Sequence, residues 1–225
     1  AVSPAEFVPL AERTGTIRAL TRFVLREGIA QLAAWRSQGL ILDLSVNISA
    51  TDIVDAELGP LLLADLRAAK VPPTALILEI TETAAMSDRG SAARHMELLH
   101  VAGIRFSIDD FGTGHSSLSL LHALPVDELK IDRQFVADLD TNVDSAKIVQ
   151  STIDLARALD IKVVAEGIET ESVWLKLAGF GCHLAQGYYI SKPLAADRFA
   201  AFVADANDGI DPTATLPQVM RQAEV

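Results

Sequence analysis

The segment Ser107-Ile-Asp-Asp-Phe-Gly-Thr-Gly-His-Ser-Ser117 joins a short apolar run to two adjacent acids and a glycine-rich turn. The residues that lead into it alternate between apolar and polar side chains, in the order Ile104, Arg105, Phe106, Ser107, Ile108 and Asp109. This alternation predicts a β-strand that ends at the acids, and the glycines after it permit backbone conformations with positive φ. Taken by itself, the segment fits a strand-to-helix turn with acidic caps as well as it fits a binding site.

Similar apolar runs recur along the chain and alternate with helical patterns at roughly 25 to 35 residues, which predicts βα units and a parallel sheet. The predicted strands are Ile41–Ile48, Ala75–Thr81, Ile104–Asp109, Val126–Asp132, Ile161–Glu166 and His183–Gln186. The predicted helices are a short one capped by Ser3 and then Thr16–Gln38, Glu57–Lys70, Asp88–Ala102, Ser116–His122, Ser145–Leu159, Glu171–Ala178 and Ala195–Ala206. We expect one α/β domain over residues 1–206, followed by a tail or linker over residues 207–225.

Composition limits the classes of function. The net charge of −11, from 19 Lys and Arg against 30 Asp and Glu, argues against a surface for duplex nucleic acid. The apolar runs are short and broken by charges, so we expect no transmembrane span and no signal peptide. A cytoplasmic domain is expected, whether or not the full-length protein is tethered to a membrane. The single cysteine, Cys182, is expected to be a buried thiol of the core.

Polar side chains follow the predicted strands at their carboxyl ends, the edge at which parallel α/β folds bind ligands. They are Asn47, Glu79, Glu82, Asp109, Asp110, Lys130, Asp132, Glu166, Glu169 and Gln186. Each could be only a helix cap, a turn residue or half of a buried ion pair. Their joint occurrence favours a site, because a barrel brings them together and neighbouring carboxylates need a cation to stay ionised. Oxygen ligands favour Mg²⁺ or Mn²⁺, and two such ions suit phosphodiester hydrolysis.

Two other kinds of site are poorly supported by the sequence. His95, His100 and His122 fall on predicted helices, and His115 and His183 have no His or Cys partner at ligand spacing. We interpret all five as surface or packing residues. The glycine-rich segment lacks the Gly-Lys-Ser/Thr ending of a nucleotide-binding P-loop.

Seven stretches of this sequence resemble the EAL-domain family of cyclic di-GMP phosphodiesterases. They are Ser3-Pro-Ala-Glu-Phe-Val-Pro-Leu-Ala-Glu, Val46-Asn-Ile-Ser, Leu78-Glu-Ile-Thr-Glu, Ile108-Asp-Asp-Phe-Gly-Thr-Gly-His-Ser-Ser-Leu, Leu124-Pro-Val-Asp-Glu-Leu-Lys-Ile-Asp, Val164-Ala-Glu-Gly-Ile-Glu-Thr and Gln186-Gly-Tyr. The resemblance implies a modified (β/α)₈ TIM-type barrel, here without its first two strands. It also implies hydrolysis of cyclic di-GMP to linear pGpG with Mg²⁺ or Mn²⁺ at two sites. A homodimer, and fusion to sensory or GGDEF domains in the full-length protein, are further implications.

The same resemblance implies a set of metal ligands. Asn47, Glu79 and Asp109 would bind one ion, and Asp109 would bridge to a second ion. Asp110 would serve that second ion, with Glu166 as a further contact or as the general base.

Other residues of the resemblance would act on water, substrate or the neighbouring loop. Lys130 would hold the catalytic water or the phosphate, and Asp132 would support this lysine. Glu169 and Gln186 would orient substrate or metal-bound water. Glu82 would steady the loop that couples metal binding to dimerisation. This loop runs from Phe111 through Gly112, Thr113 and Gly114 to Ser117.

The chain departs from the family pattern before Ser3, where the Glu-Ala-Leu motif would supply a metal-binding glutamate and a substrate-contacting arginine. Smaller departures are His115 in place of a tyrosine and His183 in place of an aspartate. Without the first two strands, the strands at Ile41 and His183 would have exposed edges. We therefore expect a partner chain, strand exchange or aggregation. Activity could be impaired, so a non-catalytic cyclic di-GMP receptor is the alternative function. Another metal-dependent barrel hydrolase is a more distant one.

Overall fold

The structure is a computed structural model that describes residues 3–112, 118–209, 218–219 and 222–224. The chain divides into two compact units, one of residues 1–106, 122–125 and 222–225, the other of residues 107–121 and 126–221. Within each unit, parallel strands pair with one another and helices follow them in sequence, so the fold class is α/β, as predicted.

The described residues form eleven α-helices, a 3₁₀ turn at Pro73–Ala75 and eight strands. The helices are α1 Pro4–Thr14, α2 Ile17–Ser37, α3 Ala50–Ile53, α4 Leu58–Ala69, α5 Glu82–Ser87, α6 Arg89–Val101, α7 Leu118–Ala123, α8 Arg133–Ala137, α9 Val143–Ala158, α10 Glu171–Phe180 and α11 Ala196–Gly209. The strands are β1 Asp43–Asn47, β2 Leu76–Thr81, β3 Arg105–Phe111, β4 Glu128–Ile131, β5 Lys162–Ala165, β6 Leu184–Ala185, β7 Gln218–Val219 and β8 Gln222–Glu224.

The first unit contains β1, β2 and β8. β1 pairs in parallel with β2 in unbroken register from Leu44 opposite Leu76 to Asn47 opposite Glu79, and it pairs with β8 on its other side. β1 and β2 consist largely of buried residues, as expected when helices cover a parallel pair. Helix α2 supplies part of that cover with side chains at helical spacing, which are Leu25, Ile29, Leu32 and Trp35.

The second unit contains most of β3, together with β4 to β7. β4 pairs in parallel with β3 on one side and with β5 on the other, and β6 lies between β5 and β7. The core beneath these strands includes Val149, Ile153 and Ala156 of α9 and Leu177 of α10, each with 0 % of its surface exposed. In this unit the β3–β4 register shifts between Ile108 and Phe111, so β3 carries an extra residue there.

Strands form in all six segments where the sequence predicts them, but their bounds differ. β3 continues through both acids to Phe111 instead of ending at Asp109, and β6 is two residues long. Helices α3, α5 and α8 were missed because each is no longer than six residues, too short for a periodic pattern. Ser3 is the N-cap of α1, although its side chain makes no capping hydrogen bond. The first two residues of the predicted helix Ser116–His122 lie outside the described residues.

The expectation of exposed strand edges was wrong. β8 pairs with the outer side of β1 and β7 pairs with the outer side of β6, and both strands come from the segment predicted to be a tail or linker. Neither pairing could be predicted from the sequence, because strands of two or three residues are too short to show alternation. The division into a domain over residues 1–206 and a tail stays a prediction.

Candidate active site

Lys130 is the central charge of the second unit. It lies on β4 with 3 % of its side chain exposed, and its Nζ is 2.7 Å from Oε1 of Glu166 and 3.8 Å from Oδ1 of Asp109. A buried ammonium is costly unless anions compensate it, and these two carboxylates do so. Three residues predicted at the ends of three different strands are therefore brought together.

Asp109 and Asp110 are adjacent in sequence, and both approach this lysine. In a regular strand, neighbouring side chains point to opposite faces. Here the extra residue in β3 and a left-handed backbone at Asp110, with φ of 54°, interrupt that alternation. The Asp110 N–H donates a hydrogen bond of 2.9 Å to Oδ1 of Asp109, which holds the pair in this turn. Asp and Asn tolerate left-handed backbone better than most residues, so the sequence suits the bulge.

The carboxylates of this unit repel one another. Burial raises the pKa of Asp110 to about 6, and the charge of Asp109 and a hydrogen bond to Asp132 add to this effect, while Lys130 opposes it. The single positive charge of Lys130 therefore does not offset all the negative charge around it. The remaining negative charge would be stabilised by a further cation.

Asp132 and Glu166 are fixed by backbone structure at the ends of their strands. Asp132 lies just past β4 as the N-cap of α8, where its Oδ1 accepts a hydrogen bond of 2.7 Å from the Gln134 N–H. The prediction that the strand with Lys130 extends to Asp132 was therefore wrong by one residue, because β4 ends at Ile131. Glu166 follows β5, and its N–H donates to the carbonyl oxygen of Ile131 at 3.2 Å. The pairing of β4 with β5 thus places the side chain of Glu166 beside Lys130.

Asn47 and Glu79 form a second pair, in the first unit. They lie directly opposite each other, Asn47 as the last residue of β1 and Glu79 two residues before the end of β2, and the Ile48 N–H donates a hydrogen bond of 2.9 Å to the Glu79 carbonyl oxygen. Glu79 is 1 % exposed, whereas Asn47 is exposed. The predicted carboxylate and amide are therefore neighbours in one ladder.

A buried aspartate that the sequence analysis missed supports the turn after Asn47. Asp52, 2 % exposed, accepts hydrogen bonds through Oδ2 from Thr21 Oγ1 at 2.8 Å, Ser49 N at 2.9 Å and Ser49 Oγ at 2.6 Å. Ser49 and Asp52 form the capping box of α3. That part was readable from their spacing, although the contact from Thr21 of α2 was not.

The remaining predicted residues occupy three different settings. Glu82 is buried as the first residue of α5, Glu169 is exposed in the turn after β5, and Gln186 follows β6. Phe111 ends β3 and Gly112 follows it with φ of 98°. Thr113 and Gly114 lie outside the described residues, so the proposed link from Glu82 to this loop stays a prediction.

Three observations concern metals, cysteine and histidine. Among the described residues, no group of three or more His, Cys, Asp or Glu side chains is arranged to hold a metal ion. Cys182 is a buried core thiol as predicted, and burial raises its pKa to about 12. His95 and His100 lie on α6 and His122 lies on α7, as expected. His115 lies outside the described residues.

Comparison with known proteins identifies the family. The EAL domain matches residues 1–193 of this chain. The chain belongs to the EAL domain family. It is 40 % identical over 204 residues to the bifunctional diguanylate cyclase/cyclic di-GMP phosphodiesterase MucR of Pseudomonas aeruginosa, covering 90 % of this chain and 30 % of MucR. It is 39 % identical over 200 residues to another cyclic di-GMP phosphodiesterase of the same organism, covering 88 % of this chain and 34 % of that protein. The chain thus spans about a third of these relatives.

Solved EAL domains share the fold. The MucR phosphodiesterase in complex with cyclic di-GMP matches with a TM-score of 0.83, covering 88 % of this chain and 80 % of that one at 40 % identity. The EAL domain of DcpA from Mycobacterium smegmatis matches with a TM-score of 0.79 and 39 % identity, covering 83 % and 84 % of the two chains. The fold is therefore of the TIM-barrel type found in EAL domains, as predicted. None of the helices in the described ranges has the length and apolar character needed to cross a membrane.

Proposed function

We propose that this EAL domain hydrolyses cyclic di-GMP to linear pGpG. The observation that carries the proposal is the buried ion pair of Lys130 and Glu166, with Asp109 at 3.8 Å from the same ammonium group. Relatives named as cyclic di-GMP phosphodiesterases support the choice of substrate. The homodimer, the adjoining sensory or GGDEF domains and the cytoplasmic location stay predictions.

The proposed roles follow from the charges. In the reaction, water adds to phosphorus, the bond from phosphorus to the 3′ oxygen breaks, and that oxygen takes up a proton from solvent. Glu166, whose carboxylate lies 2.7 Å from the Lys130 ammonium, accepts the proton that the water loses. Lys130 also offers positive charge to the phosphoryl oxygens, where negative charge develops in the transition state.

Divalent cations fit the donor set of this domain. The candidate ligands Asn47, Glu79, Asp109 and Asp110, with Glu166 as a further contact, present only oxygen atoms, which Mg²⁺ and Mn²⁺ prefer. The raised pKa of Asp110 supports this assignment, because carboxylates in such proximity are stabilised in their ionised form by a cation. Bound there, the ions would polarise the phosphoryl group and lower the pKa of the attacking water. We propose Asp132 as support for Lys130, and Glu82, Glu169 and Gln186 as residues that steady the loop and orient substrate.

The direct test is to incubate the protein with cyclic di-GMP and Mg²⁺ and to separate the products by chromatography. We expect pGpG to accumulate, and we expect EDTA to abolish its formation. Linear dinucleotides and phosphomonoesters serve as matched substrates, and preferential cleavage of these would indicate another metal-dependent hydrolase. Cyclic di-GMP that binds without being cut would refute the proposal and favour the receptor alternative.

A further inference from the structure

The turn that carries Glu166 is held on one side by the segment after β6. The Ile168 N–H donates a hydrogen bond of 3.0 Å to the Gln186 carbonyl oxygen, and the Tyr189 N–H donates one of 2.9 Å to the Ile168 carbonyl oxygen. The Gln186 N–H donates to the Ala165 carbonyl oxygen at 2.9 Å, so the two segments bond to each other one residue before and two residues after Glu166. We call residues 186–189 the clamp segment.

Two glycines allow this turn to be enclosed from both sides. A Cβ on Gly187 would come well under 3.0 Å from the backbone nitrogen and oxygen of Ile168, a separation that real Cβ atoms essentially never show. On the other side, a Cβ on Gly167 would come 2.5 Å from the Cβ of Arg133, and Gly167 has a φ of 73°. Main chain therefore packs against main chain at Gly187, and neither segment can shift without moving the other.

An aromatic contact fixes the far end of the clamp segment. The ring of Tyr189 lies 6.2 Å from that of Trp174 on α10, at an interplanar angle of 49°. Trp174 is 9 % exposed, so it belongs to the core of this unit. The clamp segment is thus tied to a rigid helix as well as to the Glu166 turn.

We propose that the clamp segment is a positioning element for Glu166, with Gly187 as its decisive residue. The pairing of Glu166 with Lys130 depends on a separation of 2.7 Å, and the two residues after Glu166 are enclosed by Arg133 and Gly187. A side chain at position 187 pushes Ile168 away and takes Glu166 out of register with Lys130. The consequence for catalysis rests on the proposed function, whereas the consequence for the ion pair does not.

The experiment compares Gly187→Ala with Gly179→Ala. Gly179 lies on α10, and a Cβ there would meet no atom within 4 Å, so this control adds the same methyl group without a clash. We expect Gly187→Ala to lower kcat for cyclic di-GMP about 100-fold with KM changed less than about threefold, because a misplacement of about 1 Å has effects of that size. Gly179→Ala should keep the wild-type kcat. Equal kcat values for both variants would overturn the proposal.

Two further variants separate positioning from loss of stability. Val149→Ala removes buried volume from α9 in the same unit and should lower the Tm while leaving kcat within about twofold of wild type. Tyr189→Ala keeps the backbone bonds but removes the ring contact with Trp174, and we expect it to lower kcat by roughly three- to tenfold. A loss of kcat in Val149→Ala as large as that in Tyr189→Ala would show that the effect is only structural.

A readout that needs no catalysis distinguishes failure of this inference from failure of the proposed function. In protein with ¹³C-labelled lysine, the signal of Lys130 is assigned by its loss in Lys130→Met. We expect Gly187→Ala to move that signal towards those of exposed lysines, and Gly179→Ala to leave it in place. If the wild-type protein cuts no cyclic di-GMP but the signal moves, the clamp stands and only the proposed function fails. If the signal stays unchanged in Gly187→Ala, the clamp is refuted.

Discussion

The two units place their candidate site residues by different means. In the first unit, Asn47 and Glu79 face each other because β1 and β2 pair in unbroken register up to these two residues. In the second unit, Asp109 and Asp110 reach Lys130 through an extra residue in β3 and a left-handed backbone. A regular strand presents every second side chain to a given face, whereas a bulge can present two sequence neighbours to the same side.

This difference concerns energy as well as geometry. The left-handed conformation costs a residue with a Cβ roughly 1–2 kcal/mol, so the surrounding structure has to hold Asp110 there. The same unit also carries the buried ion pair and the raised pKa of Asp110. Among the candidate site residues, the left-handed backbone and the unfavourable charge thus both lie in the second unit, which is the unit that we propose to supply the reacting groups.

The largest effect is expected when the ion pair of the second unit is neutralised. Glu166→Gln keeps the size of the side chain but removes the base, so we expect kcat to fall by about 10²- to 10⁴-fold. The Tm should fall as well, because Lys130 is 3 % exposed and keeps only Asp109, at 3.8 Å, as a counter-charge, although an amide can still accept a hydrogen bond from it. Product formation measured by chromatography and thermal unfolding followed by circular dichroism check the two parts.

The control for this variant is Glu171→Gln, an equal change of charge at an exposed position in the first turn of α10. It should keep wild-type kcat. If Glu166→Gln also kept it, the proton would be accepted elsewhere, and the second unit would lose its assigned role as the source of the base.

The next effect concerns the backbone rather than the reaction. Valine is branched at Cβ and is strongly disfavoured in left-handed conformation, while asparagine tolerates it. We therefore expect Asp110→Val to unfold with a free energy about 1–2 kcal/mol lower than Asp110→Asn, as measured by urea denaturation. Both variants remove the same negative charge, so their difference isolates the backbone term.

The matching change in the first unit is Asn47→Val. Asn47 is exposed, belongs to a regular strand and is not among the residues with positive φ, so valine suits its backbone. We expect the free energy of unfolding to change by less than about 0.5 kcal/mol. If valine were equally harmless at positions 47 and 110, the distinction between a ladder and a bulge would have no energetic basis.

The same distinction explains what the sequence could predict. Alternation and strand ends were sufficient to place Asn47 beside Glu79 and to bring Lys130 to Glu166, because those positions follow from ladders. The approach of Asp110 to Lys130 and Asp132 depends on a bulge, and bulges leave no periodic signal. Gly187 against Ile168 is likewise a contact between two distant segments, and a glycine in sequence does not say which backbone approaches it. The pairing of β7 with β6 and of β8 with β1 was missed because β7 and β8 are so short.

The smallest expected effect tests whether a hydrogen bond from a strand backbone to a side chain adds to the stability of the second unit. His183 precedes β6, and its Nδ1 accepts a hydrogen bond of 3.1 Å from the Val163 N–H of β5. Partial burial lowers the pKa of His183 below its usual value, and the positive charges of Arg157 and Lys162 lower it further. Only an unprotonated Nδ1 can accept this bond, so the folded state binds fewer protons at His183 than the unfolded state does.

Stability contributed by His183 is therefore complete above its unfolded pKa and is lost as the pH falls through the range below it. His183→Gln supplies an amide oxygen that can accept from Val163 and does not titrate. Between about pH 7.5 and about pH 5, we expect the Tm of the wild-type protein to fall further than that of the variant. Carboxylates that titrate in both proteins cancel in this difference. Equal decreases in Tm would mean that the bond to Val163 adds nothing, and that backbone pairing is sufficient in this unit as it is in the first.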